Sequence, residues 1–175
     1  KFTAELWKVS FDRDNTWLAV LPQTFMNLSG DCVQPLMNWY KLPIQKLLVI
    51  HDEMDLPPGR IKLQHGGNPA GHNGLKSIQQ RMGSQDFSRL RIGVGRPPCK
   101  DNDISWVLGR FSPEDKMIME KTLPFAAEVL LCYVAKGEVK GQQFIGGIAG
   151  AAQGTGQVLI ENCGNEATLT AVYDS

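Results

Sequence analysis

The chain is short of charge of either sign, of histidine and of paired cysteine. Eighteen Lys and Arg balance 18 Asp and Glu over 175 residues, so the global charge names no polyanionic partner. Cys32, Cys99, Cys132 and Cys163 stand far apart and form no Cys-x-x-Cys pair. Free thiols in a reducing cytoplasm or organelle matrix are the expected state. Three histidines and scattered cysteines lack ligand spacing, so neither a metal nor another cofactor is expected. No apolar run reaches the length of a membrane span and no signal-peptide pattern opens the sequence, which argues against a membrane partner. Hydrophobic residues at 42% and charged residues at 21% leave no room for wholesale disorder. The length fits one domain with a core of its own, and a monomer is expected.

What is present concentrates between His51 and Gly74. The apolar run Leu47-Leu48-Val49-Ile50 reads as a strand buried on both faces. It ends on His51 and Asp52, with Glu53 and Asp55 close behind, and Pro57-Pro58-Gly59 stops it. Ligands in open α/β sheets gather at the carboxyl ends of strands, so acids there are site candidates. The run Gly66 to Gly74 is a glycine-rich loop that leads into a helix opened by His72 and Asn73. It is neither a P-loop nor a dinucleotide fingerprint, because no Gly-Lys-Ser/Thr and no GxGxxG spacing is there. A helix start offers unpaired N–H groups and partial positive charge to an anion or a carbonyl. Asn73 can donate and accept at that point.

The rest of the chain frames this stretch. Phe2 to Val9 and Thr16 to Val20 carry strand-type residues around the turn-rich Asp12 to Asn15, which predicts a hairpin. Thr24 to Asn27 is expected as a loop. Ser29 is expected to cap a helix whose apolar face is Val33, Leu36, Met37 and Tyr40, with Pro35 marking either a late start or a kink. Arg60 to Gln64 alternates as a half-exposed strand, and Gly83 stops the helix begun at Asn73. Ser88 to Val94 predicts a strand with Arg89 and Arg91 on one face. Ser112-Pro113-Glu114-Asp115 is a helix start, and that helix should reach about Lys136 with a kink at Pro124. From Lys76 to Lys100 six basic residues meet a single acid, Asp86, which suggests a face for a phosphate backbone. Gln157 to Ile160 and Ala167 to Tyr173 read as short strands.

Four motifs in order, TFMNLSG, HDEMDLPPG, GHNGLKSI and RLRIGVGRP, resemble the bacterial and organellar peptidyl-tRNA hydrolases over Phe2 to Lys140. The resemblance implies an α/β fold: one domain with a twisted mixed sheet flanked by helices and an incomplete N-terminal edge. Residues 141–175 are left as a divergent Gly/Ala-rich tail. It implies hydrolysis of the ester between a peptide and the 3′ end of tRNA, with the tRNA acceptor arm as partner. Asp52 then matches the family's catalytic carboxylate and Asn73 its catalytic asparagine. Asn27 contacts the substrate between walls formed by Phe25 and Met26, and His72, Lys76 and Arg91 complete the binding set. Gln64 stands where the family tends to place a basic side chain. The family's Asn-Pro-Gly segment and its catalytic histidine have no match in this sequence, so impaired catalysis is expected. A non-catalytic RNA-binding or splicing-type homologue of the same fold is the rival reading.

Overall fold

A computed structural model describes residues 2–10, 16–98, 103–135, 144–147, 157–160 and 169–172. The predicted turn at Asp12 to Asn15, together with Cys99, Lys100, Lys136 and Cys163, lies outside them. The chain divides into two compact units. The first is built from Lys1–Leu48, Gly66–Ser88 and Tyr133–Glu138; the second from Val49–His65, Arg89–Cys132 and Val139–Ser175.

In the first unit the expected hairpin is present. Strand β1 (Ala4–Ser10) pairs antiparallel with β2 (Thr16–Pro22), with Ala4 opposite Pro22 and Ser10 opposite Thr16. Trp17 of β2 meets Tyr133 edge to face at 6.2 Å, and the Tyr133 hydroxyl donates to Ser88 Oγ at 2.9 Å. A 3₁₀ turn at Met26–Leu28 then feeds helix α1 (Ser29–Trp39). Ser29 is not the cap it was expected to be. It already has helical angles, and its hydroxyl donates back to the Met26 carbonyl at 2.8 Å because the preceding turn places that oxygen within reach. Cys32, Val33, Leu36 and Met37 are buried, whereas Tyr40 falls beyond the helix and is exposed.

Helix α2 (Asn73–Met82) follows the glycine-rich loop and stops at Gly83, whose φ of 66° is the left-handed cap that glycine adopts without strain. The two helices pack at very close range. Gly30 N–H donates to Ser77 Oγ at 3.0 Å, and Gln34 Nε2 donates to the Arg81 carbonyl at 2.6 Å. Arg81 also pairs with Asp31. Only glycine fits at position 30, since a Cβ there would fall 2.3 Å from the Ser77 carbonyl oxygen.

The second unit holds a four-stranded sheet of order β3-β5-β4-β6, made by β3 (Leu48–Glu53), β4 (Arg60–His65), β5 (Ser88–Gly93) and β6 (Phe144–Gly147). Ser88 N–H reaches the Leu47 carbonyl and Val94 N–H the Glu53 carbonyl, so β3 and β5 run parallel. Gly66 N–H, just past the end of β4, reaches the Phe87 carbonyl just before β5, so those two strands run in opposite directions. With β4 and β6 antiparallel as well, the sheet is mixed. Ile61 and Leu63 of β4 are buried between exposed or half-buried neighbours, the alternation the sequence carries.

Two sequence expectations change here. β3 is the sheet's edge among the described residues, and Ile50 is 49% exposed, so this run is not buried on both faces. An apolar run records suitability for burial, not the number of neighbours a strand has. β6 was not anticipated, because its glycines carry no strand propensity of their own.

Helix α3 (Asp103–Val107) is a single short turn, and α4 (Pro113–Ala135) starts where its sequence said it would. Ser112 Oγ accepts from Asp115 N–H at 3.0 Å and donates to the Asp115 carboxylate at 2.9 Å, a reciprocal cap. Met119, Thr122, Phe125 and Ala126 form its buried stripe, and Thr122 Oγ1 donates to the Ile118 carbonyl. Strands β7 (Gln157–Ile160) and β8 (Leu169–Val172) fall within the two short stretches read as strands, and they pair antiparallel.

Candidate active site

Six of the candidate residues stand in the first unit. Phe25, Met26 and Asn27 lie at the 3₁₀ turn that precedes α1, and His72, Asn73 and Lys76 at the first turn of α2. The close packing of the two helices brings these starts together. A Cβ placed on Gly74 would fall 2.7 Å from Met26 Sδ and 3.0 Å from His72 Cε1, so the Met26 thioether lies against the N-terminal turn of α2. Phe25 and Met26 are 80% and 56% exposed, an unusual condition for large apolar side chains beside exposed asparagines. His72 caps α2, its Nδ1 accepting from Leu75 N–H at 3.2 Å. Its backbone carbonyl meanwhile accepts from Lys76 N–H. Lys76 itself is exposed and makes no ion pair among the described residues.

Asp52 and Arg91 belong to the second unit. Asp52 is half-buried on β3 between His51 and Glu53, both buried. Strand alternation turns its side chain to the face opposite theirs. His51 Nδ1 lies 2.6 Å from the Asp52 backbone carbonyl, which spends that ring nitrogen on its own strand. Glu53 faces Arg91: its Oε2 accepts from Arg91 Nε at 2.9 Å and from Nη2 at 2.8 Å. Arg91 Nη1 donates to Gln64 Oε1 at 2.7 Å. Arg91, expected as a substrate contact, is thus an ion-paired, largely buried residue. Gln64 accepts from it instead of adding a positive charge.

Three more residues of the expected basic face are buried or ion-paired, while Lys76 stays exposed. Arg89 is 2% exposed, and Arg81 and Arg96 pair with Asp31 and Asp55. Burial holds the Arg89 guanidinium below its ordinary range, with the Arg91 charge acting in the same sense. Burial also lowers the Lys62 ammonium, helped by the positive charges of Arg91 and Arg89. The count of basic residues from Lys76 to Lys100 was right, but the acids that pair with three of them, Asp31, Glu53 and Asp55, lie outside that window. Glu53 was named among the acids at this strand end but not as the partner of Arg91, although period-2 alternation puts it on the face opposite Asp52, where a buried carboxylate needs a cation.

Comparison with known proteins turns on these same segments. The family model for peptidyl-tRNA hydrolase matches residues 1–147. The chain belongs to the peptidyl-tRNA hydrolase family. A peptidyl-tRNA hydrolase of Desulfovibrio desulfuricans is 53% identical over 138 residues, which cover 78% of this chain and 60% of that protein. One of Lawsonia intracellularis is 48% identical over 135 residues, 77% of this chain and 67% of its own length. A crystal structure of peptidyl-tRNA hydrolase from Acinetobacter baumannii superposes with a TM-score of 0.70 at 31% identity, over 78% of this chain and 68% of that one. The chain thus spans between 60% and 68% of the length of these family members. The family match and this α/β likeness carry the fold class expected from the four motifs. Among the described residues, no helix is long and apolar enough to cross a membrane, and no cluster of acids, histidines and cysteines could hold a metal.

Proposed function

We propose that this chain acts on peptidyl-tRNA, cleaving the ester between the peptide and the 3′ end of tRNA so that the tRNA returns to use. The observation that carries this reading is the meeting of the Met26 turn with the start of α2, where a Cβ on Gly74 would fall 2.7 Å from Met26 Sδ and 3.0 Å from His72 Cε1. That arrangement suits an ester with an apolar side and an anionic side. Phe25 and Met26 offer exposed apolar surface to the peptide, and Asn27 offers an amide to its backbone. Asn73 stands at the α2 N-terminus, where its amide and the helix's unpaired N–H groups favour the negative charge that develops on the carbonyl oxygen. Lys76, one turn along, is placed to meet a phosphate. Asp52 has the role of holding and charging a histidine that removes a proton from water.

We assign that last step to none of the three histidines of this sequence. His51 points to the other face of β3 from Asp52, His72 is committed to a helix cap, and His65 sits exposed at the end of β4. A polypeptide of these 175 residues alone is therefore proposed to bind its substrate and hydrolyse it slowly. The loss relative to a complete site is on the order of 10²–10⁴-fold, the usual worth of a general base. The non-catalytic RNA-binding alternative relies on a basic surface, and the pairing of Arg81, Arg91 and Arg96 takes charge away from it.

The test is hydrolysis of an N-acetylated aminoacyl-tRNA with protein in excess. Slow cleavage that falls further in Asp52→Ala and Asn73→Ala supports the proposal. Binding with no cleavage in any variant supports the non-catalytic reading. Rapid cleavage that continues over many turnovers when substrate is in excess would refute the proposed impairment.

A further inference from the structure

We infer that Glu53 is a positioning residue that fixes the end of β3 and thereby the place of Asp52. Five polar contacts from four residues converge on this one residue. Its Oε2 accepts both Nε and Nη2 of Arg91, and its Oε1 accepts Asp55 N–H at 3.1 Å. Its backbone carbonyl accepts Val94 N–H at 3.1 Å, with Leu56 N–H at 3.4 Å. Arg91 extends the clamp to β4 through Gln64. The last residue of β3 is thus tied to β5, to β4 through the guanidinium, and to the turn that follows.

The strand needs such a clamp because β3 lies at the sheet's edge. It has one hydrogen-bonded neighbour, β5, among the described residues, and its exposed Ile50 gains little from packing. Asp52 is the residue immediately before Glu53, on the opposite face. A shift of the strand end would therefore move its carboxylate without any change in its own surroundings. The close approach of Gly93 to the following turn shows how tightly that end is built. A Cβ on Gly93 would fall 2.2 Å from the Pro57 carbonyl oxygen. Glu53 itself is assigned no contact with the substrate. It acts through the backbone.

This inference rests on Asp52 belonging to a hydrolytic site, and its test keeps the two claims apart. Glu53→Gln keeps the shape and one acceptor but loses the charge that holds Arg91. Arg91→Gln keeps the Asp55 bond and removes the cross-strand arm, and it serves where Glu53→Gln does not fold. Three quantities are read on each variant. They are the carboxyl-carbon NMR resonance of Asp52, the single-turnover hydrolysis rate of an N-acetylated aminoacyl-tRNA, and the affinity for an analogue whose ester is replaced by an amide. The Asp52 resonance should move in both variants, and the rate should fall at least tenfold with affinity kept within about threefold. A residue that merely stabilises the fold would lower the melting temperature and leave the Asp52 resonance and the rate where they were. That outcome overturns the inference. If the parent chain shows no hydrolysis at all, the functional reading fails, and the Asp52 resonance alone still decides whether Glu53 positions it.

Discussion

Gly30→Ala is expected to lower the melting temperature by roughly 5–15 °C, and the reason lies in one contact between α1 and α2. The added methyl would sit 2.3 Å from the Ser77 carbonyl oxygen and 2.7 Å from Arg81 Cγ. Arg81 can swing aside, being long and half exposed, but the Ser77 carbonyl belongs to the backbone of α2 and cannot. The helices must separate by about an ångström, which stretches the Gly30–Ser77 hydrogen bond and loosens the buried contacts behind it. Overpacking of this kind costs about 1–3 kcal/mol and the hydrogen bond about 1 more. At about 2–4 °C per kcal/mol for a chain of this size, the melting shift follows. Thermal unfolding by circular dichroism is the assay. Ser77→Ala separates the two contributions, because it removes the hydroxyl and should cost about 1 kcal/mol alone. It should not rescue Gly30→Ala, since the clash is with main chain. A Gly30→Ala protein that melts within a degree of the parent, or a double variant restored by Ser77→Ala, would refute the reasoning. The same separation moves the Met26 turn relative to Asn73, so substrate affinity should fall with stability.

Other outcomes follow from single residues. Lys41 holds a φ of 51° just past α1, where its N–H reaches the Asn38 carbonyl and Leu42 N–H the Met37 carbonyl. Lys41→Gly removes a left-handed strain and should stabilise by about 1 kcal/mol at most, read as a higher denaturant midpoint. Ser112→Ala deletes the α4 cap and should cost about 1 kcal/mol, with raised hydrogen exchange confined to the first turn of that helix. Burial raises the Cys32 thiol above its ordinary value of 9.0. The unfolded thiol ionises first, so this contribution is full below pH 9.0 and is lost as pH rises toward the folded value. Cys32→Ala should therefore flatten the alkaline fall in stability, and an unchanged alkaline limb would count against it.

The elements were legible where local chemistry decides them. Ser112-Pro113 with Asp115 marks a helix start within four residues, and Gly83 marks a stop, and both stand where they were read. The hairpin and the strands Arg60–His65 and Ser88–Gly93 carried their period in the sequence. What failed depends on partners distant along the chain. Leu48 to Ile50 look the same whether a strand has one neighbour or two, so the exposure of Ile50 follows from the sheet and not from the run itself. Arg91 reads as a surface cation until Glu53, 38 residues earlier, is seen beside it. Gly30 gave no sign of its contact with Ser77, because a glycine in a helix is silent about what presses on it. At the site, Met26, His72 and Asn73 were nameable as residues, but their meeting required the packing of α1 on α2.

We propose that recognition of the peptide-bearing end of tRNA rests on the Met26 turn and the start of α2 together. The most direct measurement is the affinity of this chain for a tRNA acceptor minihelix carrying an amide-linked peptidyl group, against the same minihelix without it. The account predicts tighter binding of the peptidyl form, weakening as salt rises. Asn27→Ala and Asn73→Ala should each remove at least a tenfold share of that preference while leaving the plain minihelix unaffected. Equal affinity for the two minihelices, unchanged in both variants, would contradict the account.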